Sequence, residues 1–197
     1  MIDALYPCAG FVSGSIPCSY LAARYFSGKD VRREGSGNVG ATNVFRVAGR
    51  AAGTAAAAGD VLKSLLPVLA ARGAGIPPLW QALTAMAVIA GHCYSPFLRF
   101  RGGKGVASTI TVSLVLCWPA TLAFGAVWLG VFFTSGYVSL ASILGSLALP
   151  LVSALANADR TTTAFFCLAS LFVVIKHRAN VRRLLNGTEF RMRKTDA

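Results

Sequence analysis

The sequence predicts an all-α, polytopic membrane helix bundle of about seven transmembrane helices. Three observations predict it. Apolar residues make up 55% of the 197 residues and charged ones only 13%, where a soluble domain carries about 25% charged residues. The mean hydropathy is +0.60. The nineteen basic residues, which give a net charge of +12, fall between long apolar stretches and gather on one side of them. That spacing speaks against nucleic acid as a partner and for loops between spans in a lipid bilayer.

A spanning helix needs about 20 mainly apolar residues, fewer where it is distorted. Seven candidates satisfy this, at 4–25, 51–71, 78–98, 104–118, 120–134, 137–156 and 162–177. The fourth and fifth are divided only at Trp118-Pro119, so a broken hairpin or one long helix also fits. Pro17 and Pro67 are expected to kink their helices or end a turn. The N-terminal MIDALYP lacks a basic n-region, which predicts a retained first span rather than a cleaved signal. With the N-terminus outside and the C-terminus cytoplasmic, sixteen of the nineteen basic residues fall inside. They are Arg24, Lys29, Arg32, Arg33, Arg46 and Arg50, then Arg99, Arg101 and Lys104, then Lys176, Arg178, Arg182, Arg183, Arg191, Arg193 and Lys194. Arg72 and Arg160 fall outside and Lys63 lies within a span. A five-span alternative, with 104–134 not crossing, keeps the same orientation. There is no internal repeat and no soluble segment, so one integral membrane domain covers 1–197.

The first stretch with chemistry is Gly35-Ser36-Gly37-Asn38-Val39-Gly40-Ala41-Thr42-Asn43, followed by Arg46. Alternating glycines let backbone N–H groups turn toward one point. Ser36, Asn38, Thr42 and Asn43 add short donors. A helix starting near Ala41 would aim its positive end at the same point and set Thr42 and Arg46 on one face. This is a phosphate cradle; the plainer reading is a flexible loop before a capped helix.

The second is Arg99-Phe100-Arg101-Gly102-Gly103-Lys104-Gly105, at the inner end of the third span. It is not a Walker A loop, but Lys104 among glycines suits phosphate as a mobile point charge. Positive-inside flanking explains Arg99 and Arg101 and leaves the glycines unexplained. The third, Tyr137 to Ser142, sets Ser139 and Ser142 one turn apart, as anion donors or as small residues for helix packing. The fourth sets His177 and Asn180 on one face where the last span exits, as a functional pair or a dipole partner. His92 stands equally as structural or functional. Asp60 and Lys63, one turn apart in an apolar span, must face the interior and pair; steadying the phosphate site is a second possible role. The five cysteines form no CxxC pair, and neither a disulfide framework, a metal site nor a cofactor is expected. There is no Ser-His-Asp set and no HxxxxD motif, since Phe97 follows His92 by five and Arg182 follows His177 by five.

Together these motifs resemble the PlsY family, bacterial membrane acyltransferases that use acyl phosphate. GSGNVGATNVFR, GHCYSPFLRFRGGKGVA, YVSLAS and the HRxN…RRLLNGTE ending carry the resemblance over nearly the whole chain. It implies seven helices and catalytic loops toward the cytoplasm of a bacterial inner membrane. The implied reaction joins the acyl group of acyl phosphate to sn-glycerol 3-phosphate, giving 1-acyl-glycerol 3-phosphate and phosphate. It also implies that Ser36 and Arg46 matter for activity. Gly102, Gly103, Lys104 and Gly105 would bind glycerol 3-phosphate. His177 and Asn180 would belong to the site, and Glu189 would be structural. Gly136, Ala179 and Phe190 depart from the family's frequent Arg, Glu and Pro. The expected step is direct attack of the glycerol hydroxyl on the acyl carbonyl, with Arg46, Lys104 and backbone N–H groups holding two phosphates. The proton would go to His177 or to the donor's own phosphate. An organic-phosphate transporter is the competing class; it would need a polar path across the bilayer and usually repeats.

Overall fold

The computed structural model describes residues 2–192; Arg193 and Lys194, counted above on the inner side, lie outside them. Among the described residues all regular structure is helical, with no strand. The chain divides into two compact units, Met1–Val115 and Leu116–Ala197, a boundary not expected from the sequence.

The first unit holds α1 (Leu5–Ser15), α2 (Cys18–Ser27), α3 (Ala41–Gly73), α4 (Pro78–Cys93) and α5 (Val106–Leu116). The expected span 4–25 is two helices. Proline disfavours helical geometry in the residue before it, and Ile16 accordingly lies at φ −58°, ψ 121°, ending α1. The expected span 51–71 starts ten residues earlier, at Ala41, and bends at Gly49 (φ 85°, ψ −179°). The span expected over 78–98 stops at Cys93 and turns through a short 3-10 segment, Pro96–Leu98. Here Ser95 precedes a proline, leaves the helix at ψ 124°, and uses its hydroxyl on the Ser15 carbonyl at 2.5 Å.

Helices α1 and α4 approach closely enough that a Cβ on Gly10 would lie 2.9 Å from the Thr84 carbonyl oxygen. A Cβ on Gly14 would overlap the Val88 backbone, and one on Gly91 the Phe11 carbonyl. Small residues spaced one turn apart are how membrane helices gain contact without a hydrophobic driving force.

The second unit holds α6 (Trp118–Ser135), α7 (Val138–Leu155), α8 (Arg160–Lys176) and α9 (Arg178–Leu185). The single long helix over 104–134 is excluded, because Cys117 is extended (φ −157°, ψ 85°) and α6 begins with Pro119 in its first turn, where a proline costs no hydrogen bond. Asp159 caps α8 by accepting from the Thr162 N–H at 3.0 Å, and Phe124 of α6 packs on Gly145 of α7.

Polarity is distributed as a bilayer requires. Leu66, Leu114, Phe133, Leu151 and Leu168 face outward, while Ser64, Ser108, Ser146 and Ser153 are buried. Helices α3, α6 and α7 are each long and apolar enough to cross a membrane, and α8 with α9, bent by 56°, would make a fourth. By the same measure α1, α2, α4 and α5 are too short to qualify singly.

Two other serines, half-buried Ser13 and buried Ser170, repair proline damage. Pro67 removes the N–H that would bond the Lys63 carbonyl, yet α3 continues through it instead of ending. Ser13 of α1 donates to that carbonyl at 2.7 Å. Pro150 does the same to the Ser146 carbonyl within α7, and Ser170 of α8 donates there. Ser13→Ala should therefore lower stability in detergent by about 1 kcal/mol. Pro67→Ala, which restores the missing N–H, should remove most of that penalty. Thermal unfolding of the two single variants and the double variant measures the coupling, and simple additivity would contradict it.

Candidate active site

The loop between α2 and α3 is built around one amide. Asn43 is buried in the first turn of α3. Its Nδ2 donates to the carbonyls of Val31 at 3.0 Å and Glu34 at 3.1 Å. Its Oδ1 accepts the Ser36 N–H at 3.0 Å and the Arg46 guanidinium at 3.5 Å. Asn43 thus holds the loop's shape with the amide hydrogens that the sequence offered to an anion. Gly35 and Gly37 have φ of 61° and 68°, and a Cβ on Gly35 would strike Asn43. Outside the turn, Lys29 pairs with Glu34 at 3.3 Å and Arg32 with Asp30 at 2.7 Å. The hydrogen-bonded Arg32 guanidinium holds the Asp30 carboxyl at about 2.

The chain from Gly40 enters α3 as expected, so Thr42 and Arg46 are one turn apart; both are exposed. Ser36 and Asn38 are half-buried on the loop.

The second glycine stretch folds back on the end of α4. Gly102 and Gly103 donate their N–H groups to the carbonyls of Cys93 and His92, both at 3.1 Å. A Cβ on Gly102 would overlap the His92 carbonyl, and one on Gly103 the His92 ring. These glycines therefore allow one backbone to lie against another, and their amides are committed to it. Gly105 (φ 83°) turns the chain into α5. Lys104 sits half-buried, immediately before a helix N-terminus whose dipole favours an anion.

The two stretches meet. The Val39 carbonyl oxygen lies 2.8 Å from where a Gly103 Cβ would be, and Val39 and Leu98 share one apolar cluster with Val31 and Val44. The first unit thus gathers two glycine turns, two helix N-termini, Arg46 and Lys104.

Asp60 and Lys63 pair as expected, at 2.8 Å, almost fully buried. Ser19 donates to Asp60 at 2.7 Å, and Lys63 donates to the Ile16 carbonyl at 2.7 Å. His92 Nδ1 stands 3.7 Å from the same carboxylate. Sequence reasoning left His92 open, although it lies within the glycine motif itself, eleven residues before Gly103.

In the second unit Glu189 is the hub. Its Oε1 accepts from Ser139 at 2.8 Å and Asn180 at 2.6 Å, and its Oε2 accepts from Arg183 at 2.7 Å. Ser142 donates to the Val138 carbonyl and accepts from Trp128 Nε1 at 3.2 Å, which serves packing of α6 on α7. His177, buried at the bend between α8 and α9, has Nδ1 2.8 Å from the Val173 carbonyl. A carbonyl can only accept, so Nδ1 carries the proton and the neutral ring has its lone pair on Nε2. Among the described residues no cluster of metal-binding side chains occurs.

The fold and these turns define an integral membrane helical protein with glycine-rich turns and cations at its helix ends. The comparisons make the class specific: the family model described as glycerol-3-phosphate acyltransferase matches residues 4–187. A glycerol-3-phosphate acyltransferase of Geobacter sulfurreducens is 41% identical over 97% of this chain and 98% of its own. One of Rubrobacter xylanophilus is 40% identical over 96% and 94%. Crystal structures of PlsY, an integral membrane glycerol 3-phosphate acyltransferase, superpose with TM-scores of 0.92 and 0.89 at 34% and 33% identity, over 98% of this chain and 96% of that one. The first is a glycerol 3-phosphate form and the second a lysophosphatidic acid form. The chain belongs to the PlsY family of glycerol-3-phosphate acyltransferases.

Burial raises the Glu189 carboxyl, but the hydrogen bonds from Asn180, Ser139 and Arg183 outweigh it and hold the group below its ordinary 4.5. A carboxyl with a depressed folded pKa contributes stability that is complete above the unfolded value and is lost as pH falls through the folded one. Glu189→Gln should therefore be less stable than the parent at about pH 7, with the gap closing as pH falls below the ordinary carboxylate range. Thermal midpoints of both proteins across that range measure it, and a gap independent of pH would refute the hub's ionic character.

Proposed function

We propose that the protein transfers a fatty acyl group from acyl phosphate to the 1-hydroxyl of sn-glycerol 3-phosphate. The products are lysophosphatidate and inorganic phosphate. The observation that carries this reading is the contact between the two glycine turns. Each turn runs into a helix N-terminus, and each brings a cation, Arg46 or Lys104. Family membership supports the acyl acceptor. The donor is read from the lack of HxxxxD and of an activated nucleophile, which suits a substrate that is already a mixed anhydride.

The glycerol oxygen attacks the acyl carbonyl, the carbon–oxygen bond to phosphate breaks, and the hydroxyl proton passes to a base. Helix dipoles, Arg46 and Lys104 hold the phosphates and stabilise the charge that develops on carbonyl and leaving group. Ser36, Thr42 and Asn38 add neutral donors, and Asn43, Gly35, Gly37, Gly40, Gly102, Gly103 and Gly105 shape the turns. In the second unit, Ser139 and Asn180 act through Glu189, and Ser142 completes the same helix mouth. The proton's destination is either His177 Nε2, in the tautomer fixed by Val173, or the departing phosphate. A His177→Ala enzyme with most of its kcat intact selects the phosphate; a fall of about a hundredfold selects the histidine.

Seven crossings, with the N-terminus outside and the turns facing the cytoplasm, are part of this proposal. The broken pair α1–α2 would make one crossing, and α3 to α8 one each. A fluorescent reporter that folds only in the cytoplasm should light when fused after the C-terminus and stay dark at the α7–α8 turn near Asn157. The reverse pattern would overturn the orientation.

The decisive assay uses purified protein and radiolabelled glycerol 3-phosphate with acyl phosphate, acyl-CoA or acyl carrier protein as donor. Lysophosphatidate should form from acyl phosphate alone, and Arg46→Ala and Lys104→Ala should each lower kcat/KM by about a hundredfold or more. Equal use of acyl-CoA would remove the donor from the proposal, and product from no donor would end it.

A further inference from the structure

We infer that His92 is a positioning residue: backed by Asp60, its ring seats Gly103 and thereby sets where Lys104 stands. The inference rests on the reading of the Lys104 turn as the seat of glycerol 3-phosphate.

His92 holds Gly103 in two ways. Its main-chain carbonyl accepts the Gly103 N–H at 3.1 Å. Its Nε2 lies against the Gly103 Cα so closely that no Cβ could be added there. On the opposite side of the ring, Nδ1 faces the Asp60 carboxylate at 3.7 Å, beyond hydrogen-bond distance. The ring is 7% exposed and Asp60 1%. The charged and titratable groups around it are Asp60 and Lys63 from α3 and Cys18 from the start of α2, and they border one small pocket with the ring.

Packing alone does not call for this arrangement. Asp60 has its cation in Lys63 and a donor in Ser19, so its charge is balanced without an imidazole. The ring adds a bridge. One edge takes its orientation from a fixed carboxylate, as a carboxylate orients an imidazole elsewhere, and the other edge is the surface on which the turn rests. Val39 of the first turn borders the same pocket, and its carbonyl oxygen meets the same side of Gly103 as the His92 ring. Gly103 is therefore seated against both His92 and the first motif, one residue before the cation. A displacement of about 1 Å at such a charge weakens substrate binding by a measurable factor.

The test separates positioning from mere stability. His92→Ala and Asp60→Asn should raise KM for glycerol 3-phosphate by about tenfold while kcat stays within about threefold. His92→Gln carries an amide to the Nε2 position and should bring KM back within about threefold of the parent. His92→Asn, whose amide stops at the Nδ1 position, should not. The Gln–Asn comparison decides the matter even if the alanine variant fails to fold. An unchanged KM in folded His92→Ala, a loss confined to kcat, or a Gln variant no better than Asn would overturn the inference. Lys104→Ala is the benchmark. If it leaves KM unchanged, the reading of the turn itself fails; if it raises KM while the His92 variants do not, only the inference fails.

Discussion

In hydrocarbon a backbone N–H or C=O without a partner costs several kcal/mol, and this constraint shapes the protein more than any single contact. The chain can leave helical geometry only where the groups it frees are satisfied. Ile16, next to Pro17, frees carbonyls that Lys63 and Ser95 answer from α3 and from the loop after α4. Pro67 and Pro150 each free a carbonyl inside a helix, and each meets a serine from a neighbour. Apart from the bend at Gly49, the remaining breaks are turns at helix ends, and the glycine motifs lie there. The proposed phosphate binding would draw on the same feature, since it too needs groups outside the helical ladder.

The Asp60–Lys63 pair follows the same rule. An ion pair buried this deeply is weak evidence for stability, since desolvation offsets much of its attraction. Its geometry shows another use. Lys63 reaches the carbonyl exposed by the Pro17 break, Ser19 ties α2 to the carboxylate, and His92 extends the cluster to α4 and the second turn. One buried charge pair therefore fixes the register of three helices and a loop. An apolar pair of equal volume would fill the space and leave the Ile16 carbonyl without that donor.

Much of this was legible in the sequence because it is local. Three alternating glycines before Ala41 foretold a turn and then a helix start, and Trp118-Pro119 foretold a break. Asp60 and Lys63, charged in an apolar run, had little choice but to pair. What escaped reading is tertiary. Nothing local says that Asn43 turns its amide inward to four partners, or that Gly102 and Gly103 serve contact with α4 through their backbone. The split at Pro17 was visible as a proline but not as two helices, because the outcome depends on donors that arrive from residues 63 and 95. The helix start near Ala41 was legible, but its continuity with the span at 51–71 was not, because Gly49 breaks the helical geometry between them and acts as a kink.

The departures from the family pattern can be judged by the same physics. Where relatives often carry Arg before Tyr-Val-Ser, this chain has Gly136, which caps α6 in the left-handed region at φ 75°. A side chain there would be strained, and its Cβ would meet Arg191. Arg191 itself lies across the position, with its Nε donating to the Ser135 carbonyl at 3.1 Å and its guanidinium 5.9 Å above the Tyr137 ring. Met192 returns to the Gly136 carbonyl through its N–H at 3.0 Å. A guanidinium thus stands over the Tyr-Val-Ser mouth, reaching it from the segment after Glu189 rather than from position 136. The missing Cβ at Gly136 is what leaves room for the Arg191 side chain there.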